Sequence, residues 1–134
     1  VARIDGLYDA AGFELAKPLT CLSVVGAANG ALTLTLPASG VGLFHYLARL
    51  EIIRAATALL AGTAVLTVTT TNLPGSLAWS LGNAMAAGGQ SFDLNAWWWP
   101  SLKASAANTA TTIVAPAPGA AVLWRINAYY YAAP

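Results

Sequence analysis

Few side chains in this sequence are suited to chemistry. His45 is the sole histidine and Cys21 the sole cysteine, so no His/Cys zinc cluster can form within one chain. A nucleophile–histidine pair would have to join His45 to Cys21 or to a serine. No G-x-S-x-G elbow and no local cysteine signature marks such a pair. The acidic residues are Asp5, Asp9, Glu14, Glu51 and Asp93. Glycoside hydrolysis needs two carboxylates flanking one bond, and nothing in the spacing places two of these together. No G-x-x-x-x-G-K-[ST] phosphate loop exists, and Gly88-Gly89 alone does not suggest one. The residues read as those of a protein that is not an enzyme, with no cofactor and no metal site.

Composition points elsewhere. The chain has 134 residues, of which 57% are hydrophobic and only 8% charged, against about 25% charged in an average soluble domain. Size scaling gives roughly 6,600 Å² of folded surface, or about 600 Å² for each charge. That is as large as the biggest apolar patch an ordinary monomer exposes. The surface must be coated with Thr, Ser, Asn and Ala, or covered by neighbours, and both are expected. A net charge of +1 from scattered basic residues gives no phosphate-binding footprint, so nucleic acid is disfavoured. The most apolar stretch, Ala55–Val68, is too short and too rich in Thr and Gly for a membrane span. Cys21 reads as a small buried hydrophobe.

The elements that would position any site are strands. The stretch Ala64–Leu81, AVLTVTTTNLPGSLAWSL, sets the pattern: a β-branched run, a rigid corner, then a second apolar run. Pro74 presets φ, and Gly75 can take the positive φ of a type II turn. Before it, LTCLSVVG (19–26) reads as a strand and Asn29-Gly30 as a turn. ALTLTLP (31–37) alternates strictly, with Leu32, Leu34 and Leu36 opposite Thr33 and Thr35. Leu43–Arg54 would align Leu43, Leu47, Leu50 and Arg54 as a helix. Read as a strand, which we take, it points Phe44, Tyr46, Ala48, Leu50 and Ile52 inward. His45, Arg49 and Glu51 then face out with Leu43, Leu47 and Ile53. The AATALLAGT that follows is a loop or a single helical turn, and Gly82–Gly89 is a loop. Gln90–Trp99, Thr109–Ala115 and Ala120–Tyr131 complete eight strands, with Pro118-Gly119 as another corner. The spacing predicts an all-β protein, a single antiparallel β-sandwich over residues 19–134. Residues 1–18 hold five of the eleven charges without any period. They read as an N-terminal arm, either solvated or reaching a neighbouring subunit through residues such as Arg3 and Asp5.

Two aromatic triplets stand out, Trp97-Trp98-Trp99 and Tyr129-Tyr130-Tyr131. Successive strand side chains point to opposite faces, so a one-sided core cannot hold all of either triplet. In a regular strand Trp98 shares the apolar face of Phe92, Leu94 and Ala96, while Trp97 and Trp99 join Asp93 outside. Trp97, Trp99, Tyr129 and Tyr131 are thus candidates for a contact surface, where Trp and Tyr are enriched. Exposed aromatics also stack on sugars, so a carbohydrate-binding module remains open.

The strings HYLARLEI (45–52), TTTNLPGS (69–76), TATTIVAP (109–116) and WRINAYYY (124–131) resemble structural proteins of tailed bacteriophages. They are most similar to the small head decoration, or cement, proteins. That resemblance implies a jelly-roll-like fold and a place on the outer surface of the virion capsid. Its partners would be the major capsid protein and further copies of itself, as a dimer or trimer. It would be made in the host cytoplasm. A tail, baseplate or receptor-binding component is the alternative it leaves open. The resemblance supplies no catalytic residue.

Overall fold

The computed structural model describes residues 7–8, 14–16, 19–95 and 101–134. Arg3, Asp5, Trp97, Trp98 and Trp99 lie outside the described residues, and so does the face assignment expected for the tryptophan triplet. In the N-terminal segment β1 (Leu7–Tyr8) and β2 (Glu14–Ala16) form a short antiparallel ladder. The strands that follow are β3 (Thr20–Val25), β4 (Leu32–Leu36), β5 (Phe44–Ala56), β6 (Val65–Thr70) and β7 (Ala78–Gly82). After them come β8 (Gly88–Asn95), β9 (Leu102–Lys103), β10 (Thr111–Ala115) and β11 (Val122–Ala133). Apart from β9, these are the eight strands expected from the sequence, within a few residues at each end. Gly88 and Gly89, read as loop, open β8. The stretch after β5 forms no helix, and Leu60 bridges to Met85.

The pairing defines a jelly roll. β3 pairs with β11, β4 with β10, β5 with β8 and β6 with β7, all antiparallel. This is a long hairpin folded at the β6–β7 turn. Rolling it brings β11 against β5 and β10 against β6. Two sheets result: a larger one ordered β3-β11-β5-β8, with β9 continuing the β8 edge, and a smaller one ordered β4-β10-β6-β7. Closing two sheets this way is one of the few solutions for antiparallel strands that must bury one face each.

Alternation builds the core between them. Leu34, Leu36, Val68, Ile113, Leu50, Trp124 and Ile126 are fully buried, while Thr33, Thr35, Thr67 and Thr69 face out. Each fully buried Leu or Ile contributes about 1.5–3 kcal/mol over leaving it exposed. Trp124, at the centre, keeps its indole N–H satisfied by donating to the Pro116 carbonyl at 2.7 Å.

The corners follow the turn residues, with one difference of role. Gly75 adopts φ +71°, ψ 12°, close to the second corner position of a type II turn, and it joins the true hairpin β6–β7. Asn29-Gly30 and Pro118-Gly119 instead carry the chain from one sheet to the other, because β3 and β4, like β10 and β11, belong to different sheets. Asn29 sits at φ 55°, and its side chain accepts from the Gly119 N–H at 3.1 Å, tying the two corners together. At Gly119, φ is +109° and any Cβ would lie 2.5 Å from Leu60 Cδ2, so only glycine fits.

The expected faces of β5 hold over its second half and reverse over its first. Leu50 and Ile52 point inward, and Arg49, Glu51 and Ile53 point outward, as read. Phe44 and Tyr46, however, face out, while His45 and Leu47 are buried. The cause is a β-bulge: Tyr129 pairs with Arg49 and Tyr130 with Leu47, leaving Ala48 without a partner on β11. Two successive residues, Leu47 and Ala48, are therefore both buried, and the parity shifts by one on either side. On the opposite edge, Asn95 pairs with Arg49 and Leu102 with Leu47, so β8 gives way to β9 at the same place.

Candidate functional site

The two outer faces differ sharply in chemistry. Outside the N-terminal segment the chain has six formally charged residues: Arg49, Glu51, Arg54, Asp93, Lys103 and Arg125. All except Arg54 lie on the outer face of the larger sheet. There a polar chain crosses its full width. Arg125 Nη1 donates to Ser23 Oγ at 3.5 Å, and Ser23 Oγ donates to Asn127 Oδ1 at 2.6 Å. Asn127 Nδ2 donates to Glu51 Oε2 at 3.0 Å. The other Glu51 oxygen pairs with Arg49 Nη2 at 2.6 Å, and Arg49 reaches Asp93 at 3.5 Å. Such exposed pairs contribute at most about 1 kcal/mol each, so the network orients side chains more than it stabilises the fold.

Tyr129 and Tyr131 both fall on this face, and Tyr130 turns inward, as the parity of the triplet requires. Tyr130 packs against the core and meets His45 edge-on, with centroids 5.6 Å apart. Tyr129 donates to Glu51 Oε2 at 3.4 Å. The Glu51 carboxylate, and after it partial burial, pushes the Tyr129 phenol above its ordinary pKa, with Arg49 opposing. Tyr131 stacks on Tyr46, the rings 5.0 Å apart and 5° from parallel. Lys103 Nζ sits 4.0 Å above the Phe44 ring and 5.6 Å from that of Tyr46. Cys21 is exposed beside Tyr129 rather than buried, because Leu22 and Val24 supply the inward face of β3.

The outer face of the smaller sheet carries no charge at all. Its exposed side chains are Thr33, Thr35, Thr67, Thr69, Ala78, Ser80 and Val65, with Thr112 and Val114 between them. The register arranges them in rows: Thr33, Val114, Thr69 and Ala78 lie side by side, as do Thr67 and Ser80. Thr67 and Ser80 hydroxyls are 3.0 Å apart, and those of Thr71 and Thr112 are 2.7 Å apart. Strand spacing makes this face about 20 by 20 Å.

His45, the one candidate for acid–base work, is removed from both faces. It was expected outside, and the bulge at Ala48 turns it in. With 1% of its surface exposed, it lies 2.8 Å from the Pro37 carbonyl through Nε2 and 2.8 Å from Thr111 Oγ1 through Nδ1. A carbonyl can only accept, so Nε2 donates to it. Thr111 Oγ1 in turn accepts from Asn72 Nδ2 at 3.1 Å. Both ring nitrogens are committed to structure.

Asn72 is the residue whose role the sequence conceals. It occupies φ 58°, a left-handed conformation Asn tolerates. Its amide also donates toward the Ala106 and Thr109 carbonyls at 3.2 and 3.1 Å, and its Oδ1 accepts from the Ala106 N–H at 2.8 Å. One side chain thus clamps the β6–β7 turn to the loop before β10. Among the described residues no group of three His, Cys, Asp or Glu side chains is placed to hold a metal ion. None of their helices is long and apolar enough to cross a membrane. Compared with protein-family models, curated proteins and solved structures, the chain matches none.

Proposed function

We propose that this chain is a structural virion protein, a decoration or cement protein that seats on the outer surface of a tailed-phage head and stabilises the shell. The observation that carries the reading is the segregation of charge. One sheet face is hydroxyl- and methyl-covered without a single ion, and the other gathers five of the six charges outside the N-terminal segment. A freely tumbling domain gains nothing from that asymmetry. A protein with one side laid on a neighbour and the other in water does, because interface centres are depleted in charge. The phage assignment itself rests on the resemblance of residues 43–134. A tail or baseplate location would use the same faces and is separated by where the chain sits in a particle.

The size of the neutral face constrains the assembly. At about 400 Å² by strand spacing, it is half the roughly 800 Å² per partner of a standard interface. Seating therefore needs a second contact, for which copies of the chain and the segment 1–18 are the available sources. Sugar binding is the weaker reading. Phe44, Tyr46, Tyr129 and Tyr131 each already have a ring face covered by another ring or a cation.

The test is co-sedimentation with heads of a tailed phage assembled without the protein. Wild type and Arg125→Glu should sediment with the heads. Thr67→Lys/Thr69→Lys should keep its melting temperature within about 2 °C, as exposed substitutions do, and stay in the supernatant. Wild type that ignores heads, or a lysine pair that binds as well as wild type, would overturn the reading.

A further inference from the structure

Arg54 is a buried cation with no anionic partner among the described residues. It projects inward from β5 with 1% of its surface exposed, its guanidinium 5.8 Å from the Trp124 ring. Nη2 donates to the Gly82 carbonyl at 3.1 Å and to Gln90 Oε1 at 2.6 Å. Nε and Nη1 have no partner, which leaves three of the five N–H donors idle. Outside residues 1–18 the acidic side chains are Glu51 and Asp93, and both project from the opposite face of the same sheet. Burying a charge unpaired costs several kcal/mol, and desolvation pushes the Arg54 pKa down. Among the described residues its partners are the Trp124 ring and two neutral oxygens.

An opening lies next to it. Where β7 passes into β8, a depression of about 310 Å³ is lined by Ala84, Met85, Ala86, Ala87, Gly89 and Gln90. Gln90 belongs to both features: it lines the depression, and its side-chain oxygen holds the Arg54 guanidinium. Gly88 beside it sits at φ +123°, a conformation that only glycine adopts readily. The Gln90 side chain is exposed; a swing of it would free the Nη2 donor it now accepts from, on the side of the depression.

We propose that this corner is a carboxylate-binding site, in which Arg54 receives a single negative charge through the depression beside Gln90. One cation with no other charged group nearby matches a monoanion; a phosphate dianion would be left half-neutralised. The alanine and methionine lining suits a carboxylate on a short apolar stem. Such a group can be a free small acid, or an acidic side chain of the segment 1–18, which carries Asp5, Asp9 and Glu14.

The experiment follows the Arg54 Nε–H resonance in ¹⁵N-labelled protein during an acetate titration at constant ionic strength, with chloride as the exchanged ion. A free acid as ligand predicts a saturable shift of that resonance and a rise in Tm of about 3 °C or more near saturation. Gln90→Glu, which installs a carboxylate within reach of Nη2, should raise Tm and abolish the acetate response. If the segment supplies the group, acetate moves the resonance only after Asp5→Asn/Asp9→Asn/Glu14→Gln, and that triple change alone moves it too. A resonance that answers to none of these, an equal response to chloride, or Gln90→Glu protein that titrates like wild type would overturn the proposal. The donors would then be held by water or by an adventitious ion only.

Discussion

Asn72 concentrates more structural work than any other partly exposed polar residue described. Its amide serves two loops and the buried Thr111–His45 pair while its backbone holds a left-handed φ. The two roles separate by substitution. Asn72→Ala loses the hydrogen bonds and adds the left-handed penalty of a Cβ residue, about 1–2 kcal/mol. Asn72→Gly loses the bonds alone, several at about 0.5–1.5 kcal/mol each. Chemical denaturation should rank the two variants in that order, Ala below Gly below wild type. Tyr129 offers a second check. Its pKa is raised by Glu51, so the folded state resists losing the phenolic proton. Stability from this source is intact below the unfolded value near 10 and is lost as pH climbs through the higher folded one. Glu51→Gln should bring the Tyr129 titration back toward the ordinary value, read from phenolate absorbance or its ring signals. An unchanged titration would mean that Glu51 is not the cause.

At the scale of the element, β5 shows where local sequence suffices and where it does not. Its existence is written in FHYLARLEII between Gly-rich turns, and the faces of β4, β8 and β11 can be read from Leu34, Phe92 and Trp124 by alternation. The orientation of Phe44–Leu47 cannot. The bulge at Ala48 is a property of pairing with β11 and of the handover from β8 to β9, and alanine carries no local mark of it. His45 thus reads as a surface residue in the sequence and is buried in the fold. Cys21 reads as buried yet is exposed for a related reason: LTCLSVV lacks strict alternation, so its apolar residues do not by themselves choose a face. Deleting Ala48 tests the bulge directly. Without the extra residue Leu47 adjoins Arg49 directly and pairs regularly with Tyr130, so His45 and Leu47 keep their inward faces. The deletion should therefore leave a folded protein that melts close to Ala48→Gly. An unfolded product would mean that the bulge is more than a one-residue insertion.

For the whole molecule, the segregation of charge is a property of which strands share a sheet, not of their order in the chain. The sequence scatters Arg49, Glu51, Asp93, Lys103 and Arg125 over more than fifty positions; the jelly roll collects them on one side. Sparse charge and Thr-rich strands were legible, but not which face lacked ions. The segregation also predicts how association should respond to salt. Screening weakens contacts between exposed charges and leaves a hydroxyl-and-methyl contact nearly untouched. Binding through the smaller sheet should change by less than about threefold between 50 and 500 mM NaCl. A steep fall in affinity would instead place the contact on the larger sheet.

The pairing of β11 between β3 and β5 also has a consequence for how the chain is made. β11 is the last of the eight sandwich strands to be synthesised, yet it occupies the middle of its sheet. While it is missing, β3 and β5 each present an open edge, and open edges invite pairing with other chains. Its partners on β5 lie more than sixty-five residues upstream, so the decisive contact closes a long loop, a feature of slow-folding β proteins. Nascent chains of this protein therefore pass through a stretch of synthesis in which they are sticky and incomplete. The hazard of misassembly lies in that interval before the final strand slots into place.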